Sequence, residues 1–312
     1  MIALTGGKTG GHIMPLLAIA NSYKNVCYVG GKGSLEESLC LKEQITFIGL
    51  DLKKRSIFHL FKEYKKLKMP KIDGIVSTGG YVSVPLLLYG IKNHIPIYLI
   101  EENVIMGRAN QLFSLFAKKV FLTYELPKMK KKYEIVGLPM KTPPKTIISK
   151  FEFDILIIGG SLGSKPLCDL AFCLNEKYRI CLVAGRYEED YQNIKNVKTM
   201  KFSDDLINLM KKSKLVISRA GAATTYELFA NNCPTILVPS KKTKQNHQYL
   251  NAIYFEKKGC CKLLKEENAS KDVLKLVSQI LSDEQEILNM KFAQKKLVKL
   301  DAVDKIIQAI GE

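Results

Sequence analysis

Residues 2–12 read Ile-Ala-Leu-Thr-Gly-Gly-Lys-Thr-Gly-Gly-His, a short apolar segment that runs into four glycines and a histidine. The apolar residues predict a buried strand, and the apolar residues from 13 onward predict a helix directly after the turn. A strand, a glycine-rich turn and a helix form the first unit of a doubly wound α/β sheet, where ligands bind beyond the carboxyl ends of the strands. We therefore expect the functional residues in the loops that follow the apolar strands.

The same alternation of short strands and helical segments continues along the chain. Strands are predicted at Ile2–Thr5, Val26–Val29, Thr46–Leu50, Gly74–Ser77, Ile97–Ile100 and Val120–Thr123 and, after a proline-rich break, at Asp154–Ile158, Arg179–Val183, Leu215–Ser218 and Thr235–Val238. The break is Val136–Pro144, which has three prolines and a glycine and is typical of a linker. The prediction is two Rossmann-like doubly wound α/β domains that face each other across a cleft. They span residues 1–142 and 143–312, and a C-terminal helix at about 296–312 packs back on the first.

Composition narrows the class of protein. The chain has 312 residues, of which 46% are apolar, and this is enough apolar side chains for two hydrophobic cores. No apolar run reaches the 18 residues of a membrane span. The N-terminal residues predict a strand rather than a signal peptide, so we expect a cytoplasmic protein. Eight cysteines without a CxxC pair are expected to be reduced and buried.

The net charge of +18 is concentrated in the first half, where residues 1–150 hold 23 Lys and Arg against 10 Asp and Glu. Such a field favours an anionic ligand or surface, although a generally lysine-rich composition gives the same total.

Three loops of the first domain follow predicted strands. The first, Thr5–His12, is not a Walker A loop because Ile2 occupies the position of its first glycine, and it lacks the GxGxxG spacing. His12 ends this loop and is either a catalytic base or a residue that caps the turn. The second loop, Ser77–Ser83, contains Gly79-Gly80. The third, Glu101–Arg108, contains Asn103, whose amide suits sugar hydroxyls.

Three loops of the second domain have the same position. The loop Ile158-Gly-Gly-Ser-Leu-Gly-Ser164 combines glycines, the Ser161 hydroxyl and a helix N-terminus, which is typical of a phosphate site. In Ser218–Glu227, Glu227 either accepts hydrogen bonds from ribose hydroxyls or complements the helix dipole. Pro239–Ala252 brings lysines together with His247 and Gln248, which suits a diphosphate and sugar hydroxyls.

These motifs, taken in order, resemble the MurG family of bacterial glycosyltransferases, which have the GT-B fold. They are Gly6-Gly-x-x-Gly-Gly-His12, Thr78-Gly-Gly-Tyr-Val-Ser83, Glu102-Asn103, Gly159-Gly-Ser-x-Gly163, Phe202-x-Asp-Asp-Leu206, Arg219-Ala-Gly-Ala-x-Thr-x-x-Glu227 and His247-Gln-x-x-Asn-Ala252. The resemblance covers nearly the whole chain. It implies inverting transfer of GlcNAc from UDP-GlcNAc to the 4-hydroxyl of the MurNAc-pentapeptide of lipid I, which gives lipid II for peptidoglycan.

The resemblance also implies residue roles. Glu227 would bind the ribose, Ser161 the diphosphate, the backbone near Ser203 the uracil, and His247 with Gln248 the donor sugar. His12 and Asn103 would be the catalytic residues, with His12 as the base or a close organiser of it. The UDP-GlcNAc contacts would further include Asn103 itself, Thr9, Gly10, Gly11 and Lys141. No metal or other cofactor is implied. The chain departs from the family at Leu138 and Lys141, where asparagine and arginine are usual, and its Asp51–Gly74 segment is short.

Residues 51–71 hold eight Lys and Arg, and their aromatic and aliphatic residues recur near helical spacing. A basic amphipathic helix of this kind lies on anionic lipid, although an ordinary surface helix packed on the sheet has the same pattern. We expect a peripheral protein on the cytoplasmic face of the membrane, with an anionic membrane surface and no nucleic acid among its partners.

Three alternatives remain. The first is another GT-B enzyme, such as a glycolipid glycosyltransferase or a UDP-GlcNAc 2-epimerase, whose donor site would look alike. The second is a nucleic-acid-binding protein, which the pI of 9.4 suggests but which leaves the strand-end loops unexplained. The third is a Rossmann dehydrogenase, which the missing GxGxxG disfavours.

Overall fold

The computed structural model describes residues 1–7, 10–52, 56–141, 150–160, 163–203, 205–241 and 243–311. Contacts divide the chain into two units. Unit 1 consists of Met1–Lys141 together with Lys299–Glu312, and unit 2 is Thr142–Val298. The predicted linker runs into residues 142–149, which lie outside the described residues.

Unit 1 contains a seven-stranded, fully parallel sheet with the order β3-β2-β1-β4-β5-β6-β7. Its strands are β1 (Ile2–Thr5), β2 (Val26–Gly31), β3 (Thr46–Leu50), β4 (Gly74–Ser77), β5 (Ile97–Glu101), β6 (Lys119–Leu122) and β7 (Tyr133–Ile135). The intervening helices are α1 (Gly10–Ser22), α2 (Leu35–Lys42), α3 (Ile57–Lys66), α4 (Val84–Lys92) and α5 (Arg108–Phe113). The strand order reverses between β1 and β4, so their carboxyl ends lie side by side at the switch point where such sheets bind ligands.

Unit 2 contains a six-stranded parallel sheet with the order β10-β9-β8-β11-β12-β13. Its strands are β8 (Phe153–Ile158), β9 (Ile180–Val183), β10 (Val197–Met200), β11 (Ser213–Ser218), β12 (Thr235–Leu237) and β13 (Lys262–Leu263). Its helices are α6 (Lys165–Cys168), α7 (Leu170–Leu174), α8 (Leu206–Lys211), α9 (Ala222–Ala230), α10 (His247–Lys257), α11 (Ala269–Ser282) and α12 (Glu284–Leu297). The switch point of this sheet lies between β8 and β11.

After unit 2 the chain adds one helix, α13 (Ala302–Gly311), to unit 1. Its buried residues Ala302, Ile306 and Ala309 belong to the same core cluster as Leu4 of β1 and Leu16 of α1. Burying such a face stabilises unit 1 by about 25 cal/mol for each Å² of apolar surface removed from water.

The prediction of two Rossmann-like domains is confirmed, and all ten predicted strands are present with ends within two residues. Three strands at sheet edges, β7, β10 and β13, were not predicted. Residues 298–301 separate α12 from α13, so the C-terminal helix predicted at about 296–312 begins at Ala302. Among the described residues, no helix is long and apolar enough to cross a membrane. The eight cysteines are free, and all except the half-buried Cys173 are buried.

Candidate active site

In unit 1, the loop after β1 is held by side chains from neighbouring strands. The Thr78 hydroxyl donates a hydrogen bond to the backbone carbonyl of His12 at 2.8 Å, and the buried Tyr28 hydroxyl donates to the carbonyl of Gly6 at 2.6 Å. A side chain at Gly6 would place its Cβ 2.0 Å from the Thr78 Oγ1 atom, so only glycine fits there. These contacts fix the backbone that leads into α1 and therefore the position of His12.

The loop after β5 folds around the carboxylate of Glu101, whose side chain is 2% exposed. Its Oε1 accepts hydrogen bonds from the backbone and side-chain nitrogens of Asn103 at 3.0 and 3.1 Å. Its Oε2 accepts from the backbone of Gly107 and from Nδ2 of Asn110, both at 2.9 Å. Four donors on one buried carboxylate hold this loop in a single shape, so Glu102 and Asn103 have defined positions.

His12 and Glu102 meet between these two loops. The His12 Nδ1 atom lies 3.4 Å from the Glu102 Oε1 atom, and the two side chains are 31% and 4% exposed. Both atoms are themselves buried and have no closer hydrogen-bond partner among the described residues. The negative charge of Glu102 raises the pKa of His12 to about 9, against the smaller opposing effect of burial. Burial raises the pKa of Glu102, although the His12 charge acts in the opposite direction.

In unit 2, the loop after β8 is tightly wound around glycines. Gly163 has φ +74°, and a Cβ added to it would lie 2.2 Å from the carbonyl oxygen of Ala184. At Gly159, a Cβ would lie 2.6 Å from the backbone nitrogen of Ser164. This close packing fixes the backbone at Gly159 and Gly163 against Ser164 and Ala184.

Arg219, directly after β11, joins three other segments. Its guanidinium donates to the Ser164 hydroxyl at 2.6 and 3.2 Å, and to the carbonyl of Val238 at 3.0 Å. It also pairs with the carboxylate of Glu266, and both side chains are largely buried. The loops after β8, β11 and β12 are therefore fixed to one another by a single side chain.

Glu227 lies in the second turn of α9 and is half-buried. Burial raises the pKa of its carboxyl to about 7. Among the described residues, no side chain pairs with this carboxylate, so a ligand with hydroxyl donors finds an acceptor that nothing else occupies. Nearby segments are joined by Asn251, which donates to the carbonyl of Ala220 at 3.4 Å, and by Gln248, which accepts from the backbone of Ser240 at 2.8 Å.

The other predicted site residues have these positions. Gly10 and Gly11 open α1, and His247 opens α10. Ser203 follows β10, where its hydroxyl accepts from the backbone of Asp205 at 3.2 Å. Lys141 belongs to unit 1, and its mostly exposed side chain lies 3.9 Å from Glu43. Thr9 and Ser161 lie outside the described residues.

Sequence reasoning missed two contacts, that of Glu102 with His12 and that of Arg219 with Glu266. The partners of His12 and Arg219 are both carboxylates, Glu102 and Glu266. In the sequence, Glu102 could be recognised only as part of a motif.

A cavity of about 200 Å³ lies beside Glu266 and is lined by Pro239, Ser240, Lys241, Asn246, Tyr249, Lys265, Glu266 and Glu267. In the part of the chain that the structure describes, no group of three or more His, Cys, Asp or Glu is arranged to hold a metal ion.

Two parallel Rossmann-like units with glycine loops at their switch points define the GT-B class of glycosyltransferase folds, and solved structures agree. Acinetobacter baumannii MurG aligns with a TM-score of 0.83 at 23% identity, over 99% of this chain and 98% of that one. The UDP-GlcNAc 2-epimerase of Neisseria meningitidis aligns with a TM-score of 0.68 at 14% identity, over 99% of each chain. At these identities the similarity is one of fold.

The family models are more specific. The glycosyltransferase family 28 N-terminal domain matches residues 2–122, and the family 28 C-terminal domain matches residues 154–310. The chain belongs to glycosyltransferase family 28.

Curated relatives carry the corresponding name, UDP-N-acetylglucosamine–N-acetylmuramyl-(pentapeptide) pyrophosphoryl-undecaprenol N-acetylglucosamine transferase. The protein of that name from Sulfurihydrogenibium sp. (strain YO3AOP1) is 30% identical over 99% of this chain and 97% of its own length. The one from Thermosipho africanus is 33% identical over 87% of this chain and 88% of its own length. Within family 28, the chain therefore belongs to the MurG transferases.

Proposed function

We propose that this chain transfers GlcNAc from UDP-GlcNAc to the 4-hydroxyl of the MurNAc-pentapeptide of lipid I, with inversion at the anomeric carbon, to give lipid II. The observation that carries the proposal is 30% identity over 99% of the chain to a transferase of that name. The 2-epimerase shares the fold at only 14% identity, so it stays the second candidate on fold alone.

For the donor, we assign the nucleotide and sugar to the strand-end loops of unit 2. Glu227 accepts the ribose hydroxyls, which is favourable because its carboxylate lacks a partner among the described residues and is costly to bury alone. The Gly159–Gly163 loop with Ser161 takes the diphosphate, the backbone at Ser203 the uracil, and His247 with Gln248 the sugar. The first unit adds Thr9, Gly10, Gly11, Asn103 and Lys141 as further donor contacts.

For the chemistry, we assign the base to His12. The acceptor oxygen forms a bond to the anomeric carbon, its proton passes to the imidazole, and the bond to the β-phosphate breaks with its electrons going to UDP. A glycine loop at a helix N-terminus stabilises the charge that develops on the leaving diphosphate. We assign the orientation of the acceptor sugar to Asn103, and its 3.0 and 3.1 Å hydrogen bonds to Glu101 support this role because they fix its position.

The test is transfer of labelled GlcNAc to a lipid I analogue by the wild type and by His12→Ala. We expect a lipid-linked disaccharide from the wild type, and a loss of about 10²–10⁴-fold in kcat for the variant with UDP-GlcNAc affinity unchanged. The matched control is His94→Asn, because His94 is an exposed residue at φ 54°, a conformation that asparagine tolerates. Donor binding without disaccharide would refute the acceptor assignment, and ManNAc formation would favour the epimerase.

We further propose that unit 1 docks on the anionic cytoplasmic face of the membrane through α3. Leu60, Glu63 and the following Leu67 are buried. On the opposite side, Phe58 is 89% and Phe61 48% exposed, next to the exposed lysines Lys62 and Lys65. Two exposed aromatic rings beside cations suit the boundary between headgroups and acyl chains. The same unit exposes Leu112, Leu115 and Phe116, which are a second source of apolar contact. The basic residues 53–55 of this segment lie outside the described residues.

The docking test compares Lys62→Glu/Lys65→Glu with the control Lys271→Glu/Lys275→Glu, which makes the same change in charge on exposed positions of α11. Lys66 is left intact because it bonds the buried Glu63 at 2.8 Å. A lysine near an anionic membrane surface contributes about 1 kcal/mol to binding, so replacing two of them should weaken binding to phosphatidylglycerol vesicles by at least about 30-fold. Equal binding of both variants to these vesicles would refute docking through α3.

A further inference from the structure

Glu102 stands out among the buried acidic residues because its carboxylate faces His12 rather than backbone donors. The separation of 3.4 Å between Nδ1 and Oε1 is set by two fixed loops. In the loop after β1, the backbone carbonyl of His12 accepts a hydrogen bond from the Thr78 hydroxyl. In the loop after β5, the Glu101 carboxylate accepts a hydrogen bond from the backbone of Asn103, which directly follows Glu102. Both loops therefore determine the contact between His12 and Glu102.

We propose that Glu102 is the positioning residue of the base: it holds His12 through Nδ1, so that Nε2 faces the acceptor hydroxyl, and it stabilises the imidazolium that forms. The inference rests on the proposed role of His12. In the step, the acceptor O–H bond breaks and an Nε2–H bond forms, while Nδ1 keeps its proton directed at Glu102. Glu102 stays a carboxylate throughout, because its role is to fix the ring and to offset the new positive charge.

The surroundings of the pair are predominantly acidic among the described residues. Glu101 adds a second negative charge from the end of β5 and raises the pKa of His12 further. From α2, the buried carboxylate of Glu36 packs against the same glycine loop, where a Cβ at Gly7 would lie 2.6 Å from its Oε1. From β2, the Tyr28 hydroxyl closes the loop at Gly6, and its pKa is raised by burial and by the nearby carboxylates.

This environment makes His12 a stronger base, but it also lowers the fraction of the enzyme in which His12 is neutral and can accept a proton. With the pKa of His12 at about 9, roughly one per cent of the enzyme has neutral His12 at pH 7. Because only that form accepts a proton, kcat is expected to rise about tenfold from pH 7 to 8 and to level off above pH 9. Removing the carboxylate moves this limb to about pH 6.5 or below, because Glu102 is the chief cause of the raised pKa and burial, which lowers the pKa of His12, remains.

The experiment uses Glu102→Gln, which keeps the size of the side chain and removes its charge. The chain has four histidines, so the imidazole of His12 is assigned by NMR after comparison with His12→Ala, and its titration is followed directly. We expect the His12 pKa to fall by more than about two units, the rising limb of kcat to shift by the same amount, and the maximal kcat to drop about 10- to 100-fold. KM for UDP-GlcNAc should not change.

Two further variants sharpen the result. Glu102→Asp keeps the charge and should retain part of the raised pKa and of the activity. Glu134→Gln removes an exposed carboxylate of unit 1 that lies 3.6 Å from Lys119, and should change neither pKa nor kcat. The inference is overturned if His12 of the wild type titrates near 6.5, a result that does not depend on whether a Glu102 variant folds. It is also overturned if Glu102→Gln shifts the titration but leaves kcat unchanged at every pH. Because the NMR titration needs no acceptor, its outcome is separate from that of the transfer assay.

Discussion

Arg219 gives the sharpest test of how unit 2 is organised, through the substitution Arg219→Lys. Lysine keeps the positive charge opposite Glu266, but a single ammonium group cannot reach the Ser164 hydroxyl and the Val238 carbonyl as well. Hydrogen bonds to two neutral acceptors are lost, at about 1 kcal/mol for each acceptor, so the free energy of unfolding falls by about 2 kcal/mol. For a unit the size of Thr142–Val298, this corresponds to a decrease in Tm of roughly 4–8 °C.

The assay is thermal unfolding together with calorimetric titration of UDP. Because Arg219 joins three loops that are proposed to hold the donor, we expect UDP affinity to fall about tenfold as the ligand has to order these loops itself. Arg219→Met should be worse, since it leaves the largely buried Glu266 unpaired, and adding Glu266→Gln should recover part of that loss.

The matched control is Arg179→Lys. Arg179 also pairs with a carboxylate, that of Asp154 at 3.2 Å, but its side chain is exposed at the other end of the strands. We expect little change in Tm or UDP binding for this variant. If Arg219→Lys unfolds within 1 °C or so of the wild type and binds UDP equally well, Arg219 does not organise the three loops and the reasoning fails.

Glu227 links donor binding to pH, because the pKa of its carboxyl is raised from 4.5 to about 7 by burial. The contribution of Glu227 to the free energy of unfolding is fully present below pH 4.5 and is lost as pH rises through 7. Glu227→Gln should therefore flatten the pH dependence of Tm between these values. Ribose hydroxyls favour the carboxylate, so UDP binding near pH 6.5 should release a proton in calorimetry across buffers, and an absence of release would count against ribose contact. Gly163→Ala should destabilise by about 2 kcal/mol or more, because its φ is +74° and a Cβ would meet the Ala184 carbonyl at 2.2 Å. Gly221→Ala, where nothing lies within 4 Å of the added Cβ, is the control for thermal unfolding, and equal Tm values for the two would contradict the role of Gly163.

The sequence was sufficient to locate the strands whose residues are buried on both faces. Strands such as β1, β8 and β11 are nearly continuous apolar runs, as parallel strands covered by helices require. β7, β10 and β13 escaped prediction because they lie at or near sheet edges and are short or half-exposed, which removes the apolar signal. β13, for example, has two residues, and only its pairing with β12 makes it a strand.

The candidate site was predictable as a set of loops but not as a set of contacts. Apolar strands that end in glycines locate the loops, and the order of the sheet then brings β1, β4 and β5 together. The contact between His12 and Glu102 depends on that order and on the fold of the β5 loop around Glu101, neither of which has a local signal. Likewise, Arg219 and Glu266 are 47 residues apart and meet only because β13 lies beside β12.

The position of α13 has a consequence for how the chain folds during synthesis. Unit 1 starts the chain, yet Ala302, Ile306 and Ala309 of its core are translated after all of unit 2. On the ribosome, unit 2 is therefore complete and free to fold while the first unit still exposes the apolar groove that α13 fills. Unit 1 is therefore expected to complete its folding later than unit 2, although most of its residues are made first, because it needs α13 to emerge from the exit tunnel.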